Sequence, residues 1–160
     1  MSQRSSRWGL FAVVAALTIT FDQLTKVWTR ASIHAARHVI GNTLVLVNAC
    51  NPSTAFSLFP PGAPGARILL STVAVGAAIA MVVWLWRTQS PGIAFTVSLG
   101  LLAAGALGNA IDRIAQGCVT DFVRISVGSY SWPAFNVADS ALVAGIALMF
   151  IFGGPPKKRA

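Results

Sequence analysis

The chain contains no Glu, and only four Asp carry its negative charge: Asp22, Asp112, Asp121 and Asp139. Against them stand 12 Lys or Arg, and charged residues make up only 10% of the 160. A soluble domain is about 25% charged. With so little polar surface, a chain cannot readily cover a water-facing core. Disorder is excluded too, because it needs low hydrophobicity and high charge, and 55% of these residues are hydrophobic. A membrane protein of one compact domain is the class that remains. The net charge of +8 does not point to nucleic acid, because the basic residues are scattered and form no patch interleaved with aromatics. Cysteine is also scarce. Cys50 and Cys118 make neither a disulfide framework nor a metal-ligand spacing. The sequence leaves a bond between them open, and two unpaired small apolar side chains are the plainer reading.

What is present is a set of long apolar runs. The first extends from Trp8 to Phe21, with Arg4 and Arg7 before it and Asp22-Gln23-Leu24-Thr25-Lys26-Val27-Trp28 after it. A basic start with a short apolar stretch can be a signal peptide. It can equally be a span with polar groups near its far end and Trp28 at the interface. Ile68 to Trp86 carries no charge and is long enough to cross a hydrocarbon core. A third run, Ile93 to Ile111, ends in Asp112-Arg113, and a fourth extends from near Phe135 to near Phe152. The expectation is an all-α integral membrane domain over residues 1–160, with spans at about 8–28, 67–87, 92–111 and 135–153. Basic residues are denser on the short terminal side, which places both termini in the cytoplasm.

Segments 29–66 and 112–134 then lie outside. Asn42 to Asn48 and Cys118 to Gly128 are rich in β-branched and aliphatic residues and read as strands. Paired, they would make a small sheet on the membrane surface. Pro60 to Gly65 is a turn-rich approach to the second span.

This topology brings all four acids to one membrane boundary. Ionisable groups there are costly and usually mark function. Each also has a plain structural reading. Asp22 and Lys26, at i and i+4, suit an ion pair. Asn109, Asp112 and Arg113 share a helical face with Gly105, and Gly105 and Gly108 permit close helix approach. Asn136 and Asp139 have the spacing of a capping box. Asp121 has no local partner. Two Asp brought together share a proton, because joint ionisation is expensive. One can then activate water while the other polarises a peptide carbonyl. His34 and His38 lie in a loop without a nearby acid and read as solvated side chains, and no third ligand completes a zinc site.

In order, Asp22-Gln23-Leu24-Thr25-Lys26, Asn51-Pro52-Ser53-Thr54-Ala55-Phe56-Ser57, Gly105 to Arg113, Gly117-Cys118-Val119-Thr120-Asp121-Phe122 and Phe135-Asn136-Val137-Ala138-Asp139-Ser140 resemble the motifs of the lipoprotein signal peptidases, the type II signal peptidases of bacteria. The resemblance implies a multi-pass aspartic endopeptidase of the bacterial inner membrane, with its active site toward the extracytoplasmic face. Such an enzyme cleaves diacylglyceryl prolipoproteins before the lipidated Cys. The resemblance makes Asp121 and Asp139 the catalytic pair and Asn51, Asn109, Asp112, Arg113 and Asn136 the binding or supporting residues. Asp112 takes its support from an ion pair with neighbouring Arg113. Asp22 and Lys26 become a structural ion pair, and the first apolar run is retained as a span. No metal or other cofactor is implied. The implied partners are the prolipoprotein, membrane lipid and cyclic peptide inhibitors of the globomycin type; nucleic acid is not among them, and a monomer is expected. Cys50 and Ser53 depart from the family's second motif, where Arg and Gly are usual. A small proton-coupled transporter subunit and an inactive or specialised paralogue are the alternative readings. A transporter calls for acids near the bilayer midplane, and these cluster at one end.

Overall fold

A computed structural model describes residues 2–52 and 64–152. Ser53 and the turn-rich stretch through Ala63 lie outside the described residues, as do Pro155 to Arg159. Among the described residues, four helices and four strands follow in the order α1 (Ser2–Ser32), β1 (Arg37–Ile40), β2 (Leu44–Asn51), α2 (Pro64–Arg87), α3 (Ile93–Gln116), β3 (Val119–Val127), β4 (Tyr130–Ser131) and α4 (Val137–Phe152). Three helical stretches, Ser5–Ser32, Pro64–Arg87 and Ile93–Gln116, are long and apolar enough to cross a membrane, and Val137–Phe152 is a shorter apolar helix.

α3 is the central helix and packs against α1, α2 and α4. The core cluster joins Phe95, Leu99 and Ala103 of α3 to Phe11 of α1 and to Ala78 and Leu85 of α2. The outward faces of α1, α2 and α4 stay apolar: Leu17, Leu24, Ile79, Val143 and Phe150 are all exposed. That inversion suits a chain whose solvent is lipid.

Small residues bring the helices together. A Cβ on Gly105 would lie 2.6 Å from the Ala138 carbonyl oxygen and 2.7 Å from Leu142 Cγ. One on Gly108 would lie 2.6 Å from Asp22 Oδ2. The sequence expectation for these two glycines therefore holds, and each serves a different neighbour. Where the apolar run predicts an end near Ile111, α3 continues to Gln116 and stops at Gly117, whose φ is +81°. Asp112 and Arg113 do not end the helix because their polar groups find partners from neighbouring elements and from α3 itself. The left-handed glycine supplies the stop.

The sheet is antiparallel with strand order β1-β2-β3-β4. Pairing of β2 with β3 is the expected one. The short edge strands β1 and β4 have no comparable sequence signal. One extra residue on β2 interrupts the ladder between Leu46 and Ala49, and three rungs follow: Ala49 opposite Asp121, Cys50 opposite Thr120, Asn51 opposite Val119. Cys50 and Cys118 form a disulfide, which corrects the expectation of two unpaired side chains. The antiparallel pairing brings together cysteines 68 positions apart in the chain, a proximity that spacing alone does not encode.

Candidate active site

The polar cluster lies where α1, α3, β2, β3 and the start of α4 converge. On β3, Asp121 is 3% exposed. Its pair residue across the ladder is Ala49, and Asn51 lies two positions further along β2, on the same face of the sheet. This diagonal placement lets Asn51 Nδ2 donate to Asp121 Oδ2 at 2.9 Å. Asp121 Oδ1 accepts from Asn136 Nδ2 at 2.7 Å.

Asn136 caps α4. Its Oδ1 accepts from the Asp139 backbone N–H at 2.9 Å, and Asp139 Oδ2 accepts from the Asn136 backbone N–H at 3.1 Å. This is the reciprocal box that the spacing predicts. The cap does more than end the helix, because the amide left over reaches Asp121. Asn136 therefore touches both carboxylates. Asn109, on α3, donates from Nδ2 to Asp139 Oδ1 at 2.8 Å. Its Oδ1 accepts from Asn136 Nδ2 at 3.1 Å and from Lys26 Nζ at 3.2 Å. Two donors on one oxygen set the orientation of the Asn109 amide and so aim its nitrogen at Asp139.

The second pair of acids lies on the α1 side. Lys26 is fully buried and ion-pairs with Asp22 Oδ2 at 2.9 Å. Asp22 Oδ1 accepts from the Ala138 backbone N–H at 2.9 Å, so the expected Asp22–Lys26 pair also reaches the start of α4. The partner expected for Asp112 needs correction. Its ion pairs are with Lys26 at 3.5 Å and Arg30 at 3.7 Å, because Asp112 projects from α3 toward α1. Asp112 Oδ2 also accepts from the Thr120 backbone N–H at 2.8 Å, anchoring β3 one residue before Asp121. Arg113 donates to the Asn109 carbonyl oxygen at 3.4 Å and lies in the electrostatic field of Asp139, Asp121 and Asp112.

Burial pushes the Asp121 carboxyl above its ordinary value, and the charge of Asp139 acts in the same direction. The hydrogen bonds from Asn51 and Asn136 and the positive charge of Lys26 oppose this rise. Beside Asp139 lies a cavity of about 560 Å³, lined with Ile125, Trp132, Phe135, Ser140, Val143 and Ala144. Its walls are apolar and Asp139 supplies a carboxylate, so it can take an apolar chain and present it to an acid or base. Among the described residues, no group of His, Cys, Asp or Glu is arranged to hold a metal ion. His38 Nδ1 lies 3.0 Å from the Gly41 carbonyl oxygen on the exposed surface, and His34 is exposed, as their sequence context suggests.

The sequence reading names Asp121, Asp139, Asn51, Asn109, Asn136, Asp112, Arg113, Asp22 and Lys26, and the fold brings all nine into this cluster or its immediate border. It leaves out the arms that Arg30 extends to Asp112 and, at 2.8 Å, to Thr120 Oγ1. Asp22, Lys26 and Arg30 follow one another at i+4 intervals, so a single polar stripe on α1 carries that signal.

An apolar helical bundle with a buried cluster of acids and amides beside a small sheet is the architecture of a membrane protein with a polar site. Solved structures of similar architecture agree. Two solved bacterial membrane enzymes are 30% identical, with TM-scores of 0.79 and 0.77; each alignment covers 89% of this chain, with 91% and 86% of the other. The model for signal peptidase (SPase) II matches residues 14–153, and the chain belongs to that family. It is 43% identical to the lipoprotein signal peptidase of Methylocella silvestris, over 88% of this chain and 82% of that one. With the lipoprotein signal peptidases of Beijerinckia indica and Methylorubrum extorquens, identity is 38% and 37%, over 89% and 96% of this chain and 86% and 90% of theirs. Family membership makes the protein a bacterial membrane peptidase that removes signal peptides from prolipoproteins.

Proposed function

We propose that this peptidase is of the aspartic type, with Asp121 and Asp139 as its catalytic pair. The observation that carries the reading is Asn136, a single residue hydrogen-bonded to both carboxylates at the edge of an apolar cavity. Asp121, whose burial favours the protonated form, holds the shared proton and polarises the scissile carbonyl. Asp139, on the cavity wall, takes a proton from the attacking water. As the amide breaks, the two exchange roles, and the proton passes to the departing nitrogen.

Asn109 and Asn136 hold the pair in place, Asn51 borders Asp121 from the sheet, and Arg113 and Asp112 support the site from α3. The substrate is a prolipoprotein already carrying diacylglyceryl on its Cys, cut just before that residue. A cyclic peptide of the globomycin type would compete in the same cleft. We read residues 1–160 as one monomeric membrane domain with four spans. α4 is the shortest: its 16 described residues extend about 24 Å at 1.5 Å per residue, against a hydrocarbon core of about 30 Å. An even number of spans puts both termini on one side, and the denser basic residues there make that side the cytoplasm and leave the sheet outside. The disulfide supports that orientation, since such bonds persist on the oxidising side of the membrane.

The test is cleavage of a diacylglyceryl prolipoprotein in detergent or liposomes. Asp121→Asn and Asp139→Asn should each lower turnover by about 10²–10⁴-fold or more while the variant still folds. Retained turnover in either variant removes that residue from the pair. A folded but dead Asp112→Asn, beside an active Asp121→Asn, would move the chemistry to α3.

A further inference from the structure

We infer that the Cys50–Cys118 disulfide is a positioning device for the peptidase reaction: it holds the end of β2 so that Asn51 stays on Asp121, and its reduction weakens catalysis without unfolding the protein. The inference rests on the reading of Asp121 as catalytic.

Asn51 is the last residue of β2. It belongs to a segment of three rungs cut off from the rest of the β2–β3 ladder by the irregularity between Leu46 and Ala49. A bulge leaves the ladder locally disrupted, so this short segment borrows little from the pairing behind it. The disulfide adds a covalent hold to it. Cys50 is in the middle of the segment, and Cys118 precedes the first residue of β3. The covalent link therefore closes the free end of the pairing, at the position next to Asn51.

The alternation of strand residues separates the link from the chemistry. Asp121 and Asn51 share one face of the sheet, and Cys50 and Thr120, its partner across the ladder, share the other. Thr120 Oγ1 receives Arg30 on that second face. The sulfurs thus act through the backbone of the strands and not by touching the carboxylates. β3 has further anchors, in the Asp112 bond to the Thr120 N–H and the Asn136 bond to Asp121. On the three-rung end of β2, the disulfide is the only covalent tie to β3 among the described residues. Breaking it leaves the anchors of Asp121 in place and loosens the end of β2 that carries Asn51. Cys50 is exposed while Cys118 is buried, so an attacking reductant meets the bond from the Cys50 side.

A water-soluble phosphine tests this on the full-length enzyme. It attacks one sulfur and breaks the S–S bond. Water then supplies the oxygen of the phosphine oxide and the protons of the two thiols, so that phosphorus loses the two electrons the sulfurs gain. The reduced wild type should lose about tenfold in kcat/KM, the scale of one hydrogen bond to a charged group. Its pH profile should also change. The Asn51 bond favours ionised Asp121, so its loss moves the alkaline limb to higher pH. Asp139 on α4, Lys26 on α1 and Arg113 on α3, the other charged groups around Asp121, are unaltered by the reduction. Asn51→Ala should reproduce the same shift and respond no further to phosphine. The Cys50→Ser/Cys118→Ser variant should match the reduced wild type and also be indifferent to phosphine. Helicity by circular dichroism should be unchanged throughout.

A reduced enzyme with full activity and an unmoved pH profile overturns the inference. So does a rate loss accompanied by lost helicity, or one whose pH profile stays in place. The two readings fail separately. Turnover by Asp121→Asn sinks the catalytic pair, whereas a dead Asp121→Asn beside a phosphine-insensitive wild type sinks only the role of the disulfide.

Discussion

Removing the positive charge of Lys26 should destabilise this protein far more than removing that of Arg30, although the two lie one helical turn apart. Lys26 is fully buried, with Asp22 Oδ2 at 2.9 Å and Asp112 Oδ2 at 3.5 Å. In Lys26→Met the aliphatic stem is largely preserved, so packing changes little. What changes is electrostatic. Asp22 loses its ion-pair partner in a place that water does not reach, while its Oδ1 remains committed to the Ala138 N–H. Asp112 retains the Thr120 N–H and, as a charge partner, Arg30 at 3.7 Å. Breaking a buried pair from one side costs about 3–5 kcal/mol, whereas a pair whose cation is partly open to solvent contributes about 1 kcal/mol. The Arg30 side chain is 29% exposed, so Arg30→Met should cost about 1 kcal/mol, to which its hydrogen bond to Thr120 adds a similar amount. The assay is reversible unfolding in mixed micelles, with helicity as the signal and both variants measured beside wild type. Equal losses in the two variants, or a loss below about 1 kcal/mol for Lys26→Met, would refute the reasoning. Peptidase activity per folded molecule should also fall in Lys26→Met, because the Asn109 oxygen loses one of its two donors.

Gly105→Ala should separate α3 from α4, since the new Cβ would meet the Ala138 carbonyl oxygen at 2.6 Å and backbone cannot rotate away. Overpacking of this kind costs about 1–3 kcal/mol, measurable by the same micelle titration, and cleavage should weaken with it because Asn109 and Asp139 ride on these two helices; an unchanged stability would show that the contact relaxes freely. The raised pKa of Asp121 carries a sign for stability. The folded protein binds that proton more tightly than the unfolded chain, so the contribution is complete below the ordinary carboxylate value and is lost as pH rises through the raised one. Wild type should therefore lose stability relative to Asp121→Asn as pH rises across that window. Thermal midpoints of the two proteins taken as a function of pH test this, and parallel curves would contradict it.

Much of this protein is legible in order along the chain. Apolar runs mark the helices because lipid-facing and core-facing positions are both hydrophobic, so length and lack of charge suffice. The β2 and β3 stretches stand out by their β-branched residues. Local spacings identify the Asp22–Lys26 pair and the Asn136–Asp139 cap, because i, i+4 and N-cap geometry are short-range properties of a helix. That the four acids gather at one end of the bundle is legible for the same reason: the ends of apolar runs can be counted from the sequence.

Tertiary structure decides who meets whom across elements. Arg113 is the adjacent cation to Asp112 in sequence, yet Asp112 faces α1 and pairs with Lys26 and Arg30. A helix places consecutive residues about 100° apart, and only the packing of α3 on α1 says which direction is inward. Cys50 and Cys118 join because β2 and β3 run antiparallel in one register, and a register is a long-range choice. Asn136 is the sharpest case. Its sequence spells a helix cap, and it is one. That its remaining amide nitrogen reaches Asp121, fifteen residues back on a strand, depends on where the sheet rests over the bundle. The sequence by itself determined four acids near the ends of apolar runs and the groups able to hold them. The packing of sheet on helices decided that two of those acids share a set of asparagines while the other two share a buried lysine.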